Sequence, residues 1–330
     1  MRFTLGVPMA TSLPGSALRR HHHITLCTGD AQEDYDFHTK VLGLKSVKKT
    51  LLYDGQMPIY HLYYGNDVGT ESSLVTSFPM RHTGGTKARR GSGQITYFSL
   101  SAPISALPFW KARLEQHGFQ VREDERLSER CLDFKHPCGI EYSIVGVADD
   151  TRPPHSTGPV PKDSMLRGTH AICVSVRDLD MMDEFMQQAW GARKISEDRN
   201  YVRYAMGGGG SGTFIDFVVE PNLKPGSWTF SEGAVHHMAF QVDSHAEQNA
   251  IKGFLEGMGF TDTSDVKDRG YFDSIYVRTP SGALFEATVS HQPSFACDEP
   301  IATIGHEVIV SPQFKDDKAA LMAQLGILRD

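Results

Sequence analysis

The chain has 330 residues, 40% hydrophobic and 22% charged, an ordinary globular composition long enough for two domains or one large one, which excludes disordered and fibrous classes. Basic residues number 33 against 40 acidic ones, a net charge of −7, so a phosphate-backbone partner is disfavoured and no nucleic acid is expected. The sequence holds no run of 18 apolar residues, so no membrane span is expected.

Residues 1–20 carry one early arginine and a mildly apolar stretch that Pro8 and Pro14 interrupt, which reads as a floppy leader rather than a signal peptide. From there the chain runs four times through a strand, an amphipathic helix that a glycine ends, and two or three further strands. The first unit starts at His23-Ile-Thr-Leu-Cys27, and its helix is predicted over Ala31 to Leu42, before Gly43. The second starts at Gln94-Ile-Thr-Tyr-Phe98, and Gly118 stops its helix after His117. The third starts at His170-Ala-Ile-Cys-Val174, with a helix from Leu179 to Trp190 before Gly191. The fourth starts at His237-Met-Ala-Phe240, with a helix through Leu255 and Met258 before Gly259. Glycine suits the left-handed residue on which many helices end. Closing strands also match: Cys138-Gly-Ile-Glu-Tyr-Ser143, Ser211-Gly-Thr-Phe-Ile-Asp216 and Ser281-Gly-Ala-Leu-Phe-Glu286. The repeat is therefore β-α-β-β-β. It divides the chain into an N-terminal half (residues 21–148, units one and two), a linker over 149–164 with Pro153, Pro154, Pro159 and Pro161, a C-terminal half (165–290, units three and four) and a tail over 291–330 with a helix from Asp316 to Leu328.

HExxH, GxSxG and P-loop motifs are absent. Gly207 to Gly210 with Ser211 and Gly212 sits between two strands and reads as a hairpin loop, and Arg81, Lys87, Arg89 and Arg90 read as a solvated connection. Five cysteines, Cys27, Cys131, Cys138, Cys173 and Cys297, form an odd set without a CxxC pair, which points to reduced thiols in a cytoplasmic protein. The 15 histidines are many, and several recur where a unit's first strand begins: His21-His22-His23, His170 and His236-His237. Alternation puts Leu284, Glu286 and Thr288 on one face of the last closing strand and Ala283, Phe285 and Ala287 on the other. A carboxylate in so apolar a strand is costly unless a cation compensates it. Two imidazoles and one carboxylate are the facial triad of non-haem Fe(II) oxygenases, and they also accept Zn, Mn or Ni.

The four units, with His23-Ile-Thr-Leu26, His236-His237-Met-Ala-Phe240 and Leu284-Phe285-Glu286, resemble the vicinal oxygen chelate superfamily of glyoxalases, bleomycin-resistance proteins and extradiol dioxygenases. His22 to Gln32, Thr39-Lys-Val-Leu-Gly-Leu44, Val47 to Thr50 and Arg269 to Arg278 are similar to the hydroquinone 1,2-dioxygenases, which open para-diols. The resemblance covers residues 20–290. It implies an α+β fold of four βαβββ modules in two tandem halves forming open barrel-like sheets. It further implies Fe(II) held by His23, His237 and Glu286, with Thr25, Arg269, Tyr276, His22 and His236 lining a pocket for a small aromatic diol and O₂. Alternation supports Thr25 but turns His22 and His236 away from the metal unless their strands start irregularly. A nearby histidine or Tyr276 is expected to accept and return the substrate proton, and Arg269 to stabilise negative charge.

Three alternatives stand beside this reading. A catechol-type extradiol dioxygenase would use the same iron, and in many such enzymes the third and fourth units supply the ligands, here His170, His237 and Glu286. A gap-free alignment of His170 to Val176 on the fourth unit sets His170 opposite His236 instead. A glyoxalase-like isomerase would need a second glutamate where unit one offers Thr76. A non-catalytic binding protein would need no triad. A homo-oligomer is left open.

Overall fold

The computed structural model describes residues 18–227 and 230–330. Unit one comprises β1 (Leu18–Thr28), α1 (Ala31–Asp36), β2 (Lys45–Leu52), β3 (Ile59–Gly65) and β4 (Leu74–Pro79). Unit two has β5 (Ile95–Pro103), α2 (Leu107–Gln116), β6 (Arg122–Arg126), β7 (Glu129–Lys135) and β8 (Glu141–Val147). Unit three has β9 (Gly168–Val176), α3 (Asp180–Glu184), β10 (Arg193–Asp198), β11 (Tyr201–Ala205) and β12 (Phe214–Val219). Unit four has β13 (Ala234–Val242), α4 (His245–Gly257), β14 (Lys267–Asp268), β15 (Phe272–Arg278) and β16 (Leu284–Ser290), and the tail adds β17 (Val308–Ile309) and α5 (Lys318–Met322).

The βαβββ repeat is thus present four times. The predicted helix of unit one is α-helical only to Asp36, after which Phe37–Val41 widen into a π turn, and Phe185–Ala189 do the same in unit three. Gly43, Gly118, Gly191 and Gly259 all take positive φ, between 62° and 99°, as a left-handed terminus requires.

Two curled sheets result. One has the order β14-β15-β16-β13-β1-β4-β3-β2-β17 and the other β10-β11-β12-β9-β5-β8-β7-β6. Unit one therefore shares a sheet with unit four, and unit two with unit three. In the first sheet the seam is the antiparallel pair β1–β13, flanked by the parallel pairs β1–β4 and β13–β16. Alternation then sorts the faces. Ile24, Leu26, Met238, Phe240, Phe285 and Ala287 are buried in the apolar core, whereas His23, Thr25, His237 and Glu286 face the opposite, concave side.

The tail is fastened to unit one. β17 pairs with β2, the Lys48 ammonium reaches Asp298 (2.6 Å) and Glu299, and Lys49 reaches Asp330. The helix expected over Asp316 to Leu328 is shorter than the sequence suggests. The Gly326 carbonyl accepts from Tyr60 Oη (2.9 Å) and the Arg329 amide donates to Gln32 Oε1 (2.8 Å), so groups a longer helix would pair internally bind unit one instead. The proline-rich 149–164 segment also lies against unit one, with Val160 buried beside Gly43 and His155 bonded to the Gly43 carbonyl at 3.0 Å. Gly207 to Gly212 falls within the loop between β11 and β12, as expected. Of the basic connection, Arg81 is ion-paired to the buried Glu232 at 2.9 Å rather than simply solvated. Among the described residues no helix is long and apolar enough to cross a membrane.

Candidate metal centre

Register at the seam explains how neighbouring histidines share one face. On β1 the pairing runs from His21↔Phe240 to His23↔Ala239, so His22 is an extra residue. On β13 it runs from Thr25↔His237 to Leu26↔Val235, so His236 is the extra one. These two β-bulges break the alternation that would have turned both side chains away, and bulges are the usual means of re-aiming side chains beside a site. The irregular strand starts that His22 and His236 needed are therefore present.

His23 Nε2 and His237 Nε2 lie 3.2 Å apart, with Glu286 Oε2 2.8 Å from the second and 3.8 Å from the first. All three side chains are buried, at 2%, 5% and 0% exposure. Glu286 is divided in function. Its Oε1 accepts from Ser274 Oγ and from Thr288 Oγ1 (3.0 Å), while Oε2 makes no hydrogen bond and points at the imidazoles. Burial holds His23 neutral, with a pKa well below the ordinary value despite the opposing Glu286 charge. Burial alone would push the Glu286 carboxyl up, but the neighbouring His237 and His23 rings, with the Ser274 hydroxyl, hold it below the carboxylate range.

A chain of hydrogen bonds assigns the His23 tautomer. Ser290 Oγ donates to Glu71 Oε1 (2.7 Å), so it must accept from His22 Nε2–H (2.8 Å). That leaves His22 Nδ1 bare to accept from His23 Nδ1–H at 2.8 Å. His23 Nε2 consequently presents a lone pair to the cluster, and outer partners of this kind set ligand orientation at metal sites. His236 Nδ1 stands 2.6 Å from His237 Nδ1, so a second histidine backs the second ring. An orphaned carboxylate oxygen facing two imidazole nitrogens, that of His23 bare, at these separations fits a divalent cation, because a buried charge there needs compensation. The buried Asp34, His38 and His136 cluster and the Asp268, Asp273 and His291 group, in which Asp273 is half-buried and the other two exposed, are the other sets of potential ligands among the described residues.

Of the remaining expected residues, Thr25 Oγ1 bonds Thr76 Oγ1 at 2.8 Å beneath the cluster. Arg269, exposed, lies over the Tyr276 ring at 5.2 Å and donates from Nε to its oxygen at 3.1 Å, and that ring stands 5.7 Å from the His237 ring. Burial and the Glu286 charge push the Tyr276 phenol up, with Arg269 opposing, so it stays protonated at neutral pH. His170 does not join the cluster. It sits on β9 in the other sheet, bonded to Ser211 Oγ (2.8 Å) and Glu129 Oε2 (3.1 Å). The concavity there is filled by the ion pairs Arg126–Asp133 and Arg203–Asp216, both at 2.7 Å. Sequence reasoning missed His61, whose Nδ1 meets Tyr63 Oη (2.8 Å) and whose Nε2 meets Thr76 Oγ1 (3.2 Å), and also Phe272, which packs on His22 and His23. Pairing of Tyr63 with Thr76 and of Tyr276 with Glu286 sets His61 and Tyr63 where unit four has Ser274 and Tyr276. The His61-x-Tyr63 alternation was the signal that could have revealed them.

Paired βαβββ units closing on two histidines and a carboxylate define a protein of the vicinal oxygen chelate type. No family profile matches the chain. It is 43% identical over 308 residues, 92% of this chain and 95% of the relative, to chlorohydroquinone/hydroquinone 1,2-dioxygenase of Sphingobium indicum. It is 30% identical, over 91% of this chain and 93% of the relative, to MhqO of Bacillus subtilis, provisionally designated a ring-cleaving dioxygenase. A solved structure of a Bacillus subtilis protein provisionally described as a dioxygenase superposes with a TM-score of 0.87 at 28% identity, covering 94% of this chain and 98% of that one. Glyoxalase I from Zea mays, at 14% identity and TM-score 0.60 over 82% of this chain and 92% of that one, shares the fold. The chain belongs to the hydroquinone 1,2-dioxygenase family of ring-cleaving dioxygenases.

Proposed function

We propose that this chain opens the ring of a hydroquinone or substituted hydroquinone with O₂ beside a hydroxylated carbon, using Fe(II) held by His23, His237 and Glu286. The observation that carries the reading is the unbonded Glu286 Oε2 facing two imidazole nitrogens. The relative at 43% identity whose name includes hydroquinone 1,2-dioxygenase supports the choice of diol. Bound iron supplies the electron relay that lets triplet O₂ react with a singlet ring and acidifies a phenol.

The protein's own groups do the rest. Glu71, Ser290 and His22 keep the His23 lone pair directed inward, and Ser274 and Thr288 hold the Glu286 carboxylate so that only Oε2 is offered. Tyr276, kept as a phenol, donates a hydrogen bond toward a substrate oxygen, and Arg269 beside it stabilises negative charge developing there. His61, His236 and Phe272 enclose the centre and exclude water, which strengthens those interactions.

Steady-state oxygen consumption by anaerobically purified, iron-loaded protein tests the proposal. Hydroquinone is expected to show the higher kcat/KM and catechol the lower, with activity lost under an Fe(II) chelator. A clear preference for catechol would move the chain to the ortho-diol enzymes, and full activity without iron would remove the metal from the reading.

A further inference from the structure

A second buried cluster lies where unit one meets unit two. Asp34 of α1 and His136, in the turn between β7 and β8, are 0% and 2% exposed. Asp34 Oδ2 accepts from Tyr64 Oη (2.7 Å) and Ser77 Oγ (2.5 Å), while Oδ1 has no hydrogen bond and lies 3.2 Å from His136 Nε2. On its other side the imidazole turns Nδ1 toward Cys138, accepting the Cys138 amide at 3.1 Å and standing 2.9 Å from its Sγ. Because Nδ1 accepts, the neutral ring's proton sits on Nε2, which lies 3.2 Å from Asp34 Oδ1 and, like that oxygen, makes no hydrogen bond in this arrangement. Neighbouring His38 is committed elsewhere: Nδ1 donates to the Asp34 carbonyl and Nε2 meets Tyr142 Oη, both at 2.8 Å. The cluster therefore offers a metal no bare imidazole nitrogen.

The geometry points to Cys138 as a nucleophilic thiol, served by His136 as base and Asp34 as the group that orients that base, and open to soft carbon electrophiles of the quinone class. The order carboxylate, imidazole, thiol is that of activated cysteines in unrelated folds. Burial would lower the imidazole, yet Asp34 and Cys138 together raise it to about 9, and the Asp34 carboxyl is held at about 2 by His38, His136 and Ser77 against its burial. The imidazole beside the sulfur is thus placed to take the thiol proton as a bond to sulfur forms. Cys138 itself is only partly buried, so reagents reach it. The other titratable groups around the pair are His38 on the unit-one helix, Tyr64 on β3, Tyr142 on β8 and Cys27 on β1.

In the reaction with a para-quinone, sulfur bonds to a ring carbon, the thiol proton passes through His136 to a quinone oxygen, and the ring hydrogen moves to the second oxygen. The product is an S-linked hydroquinone in which the quinone has gained the electron pair, so no further oxidant or reductant enters. The choice of quinone rests on the proposed function, since a quinone is the oxidised form of the proposed substrate. The activated thiol rests on geometry alone.

The full-length protein is labelled with iodoacetamide from pH 5.5 to 9.5, sites are resolved by peptide mass spectrometry, and the exposed Cys297 serves as internal reference. Iodide leaves as the S–C bond forms. At pH 6.5 Cys138 is expected to react about tenfold faster than Cys297, and His136→Gln to remove that advantage while 1,4-benzoquinone labels the wild-type position first. A wild-type Cys138 rate no faster than that of Cys297 and climbing with pH like an ordinary thiol overturns the proposal, whether or not the variant folds. Rapid alkylation without a quinone adduct overturns the electrophile class, and neither result depends on oxygen uptake.

Discussion

Glu71 lies three hydrogen bonds from His23, yet it decides which nitrogen of that ring is bare. With Glu71→Ala, Ser290 loses its 2.7 Å acceptor and its hydroxyl turns to donate to His22 Nε2. His22 then carries its proton on Nδ1, and His23 Nδ1 must become the acceptor across the 2.8 Å contact. The proton moves to His23 Nε2, where it blocks the position facing Glu286 Oε2. Loss of such an outer partner weakens metal binding about 10- to 100-fold, or roughly 1.4–2.7 kcal/mol. Glu71→Gln keeps an acceptor oxygen and is expected to lose much less. Fe(II) affinity measured by anaerobic competition against a chromophoric chelator separates the three proteins. Equal affinities for Glu71→Ala and wild type, with both folded by circular dichroism, would refute the tautomer argument.

His23→Ala is expected to abolish iron binding and turnover, whereas His170→Ala keeps both and loses about 1–3 kcal/mol from its stranded Ser211 and Glu129 partners; metal analysis and oxygen uptake decide, and an iron-free His170→Ala beside an active His23→Ala would reverse the assignment. The Asp34–His136 pair gives the stability a pH signature. His136, raised to about 9, contributes fully below about pH 6.5 and loses that contribution as pH rises through 9, while Asp34, lowered to about 2, contributes above about pH 4 and loses it as pH falls through 2. Thermal melts across pH should show both flanks, and His136→Gln should flatten the alkaline one. Removing Asp298 and Glu299 together (Asp298→Asn, Glu299→Gln) leaves the buried Lys48 ammonium without its anions, at a cost near the lower end of roughly 3–5 kcal/mol because Asp298 is partly solvated; urea unfolding measures it, and an unchanged midpoint would show that the tail is only laid against unit one.

The four units were legible because each repeats the same period change, from two residues in the strands to 3.6 in the helix, and ends its helix at a glycine. The face on which Glu286 falls was legible for a related reason: strand alternation is local, so it follows from the neighbours Phe285 and Ala287, whereas the choice of His23 and His237 beside it came from the family resemblance. The tail helix was overextended because propensity knows nothing of Tyr60 and Gln32, which take up its last polar groups. His61 was missed because, Tyr63 on its own strand apart, the groups it faces come from other strands, Thr76 on β4 and His237 on β13 among them.

By itself, then, the sequence determined the βαβββ repeat, the face taken by strand residues wherever alternation is unbroken, and the residue types suited to a metal. Only the tertiary structure decided that unit one pairs with unit four. It also placed bulges at His22 and His236, let ion pairs fill the second concavity around His170, and linked Glu71 to His23. Those outcomes depend on register between strands more than two hundred residues apart, and on where a proton rests along a chain of contacts. No local period of hydrophobicity encodes either one.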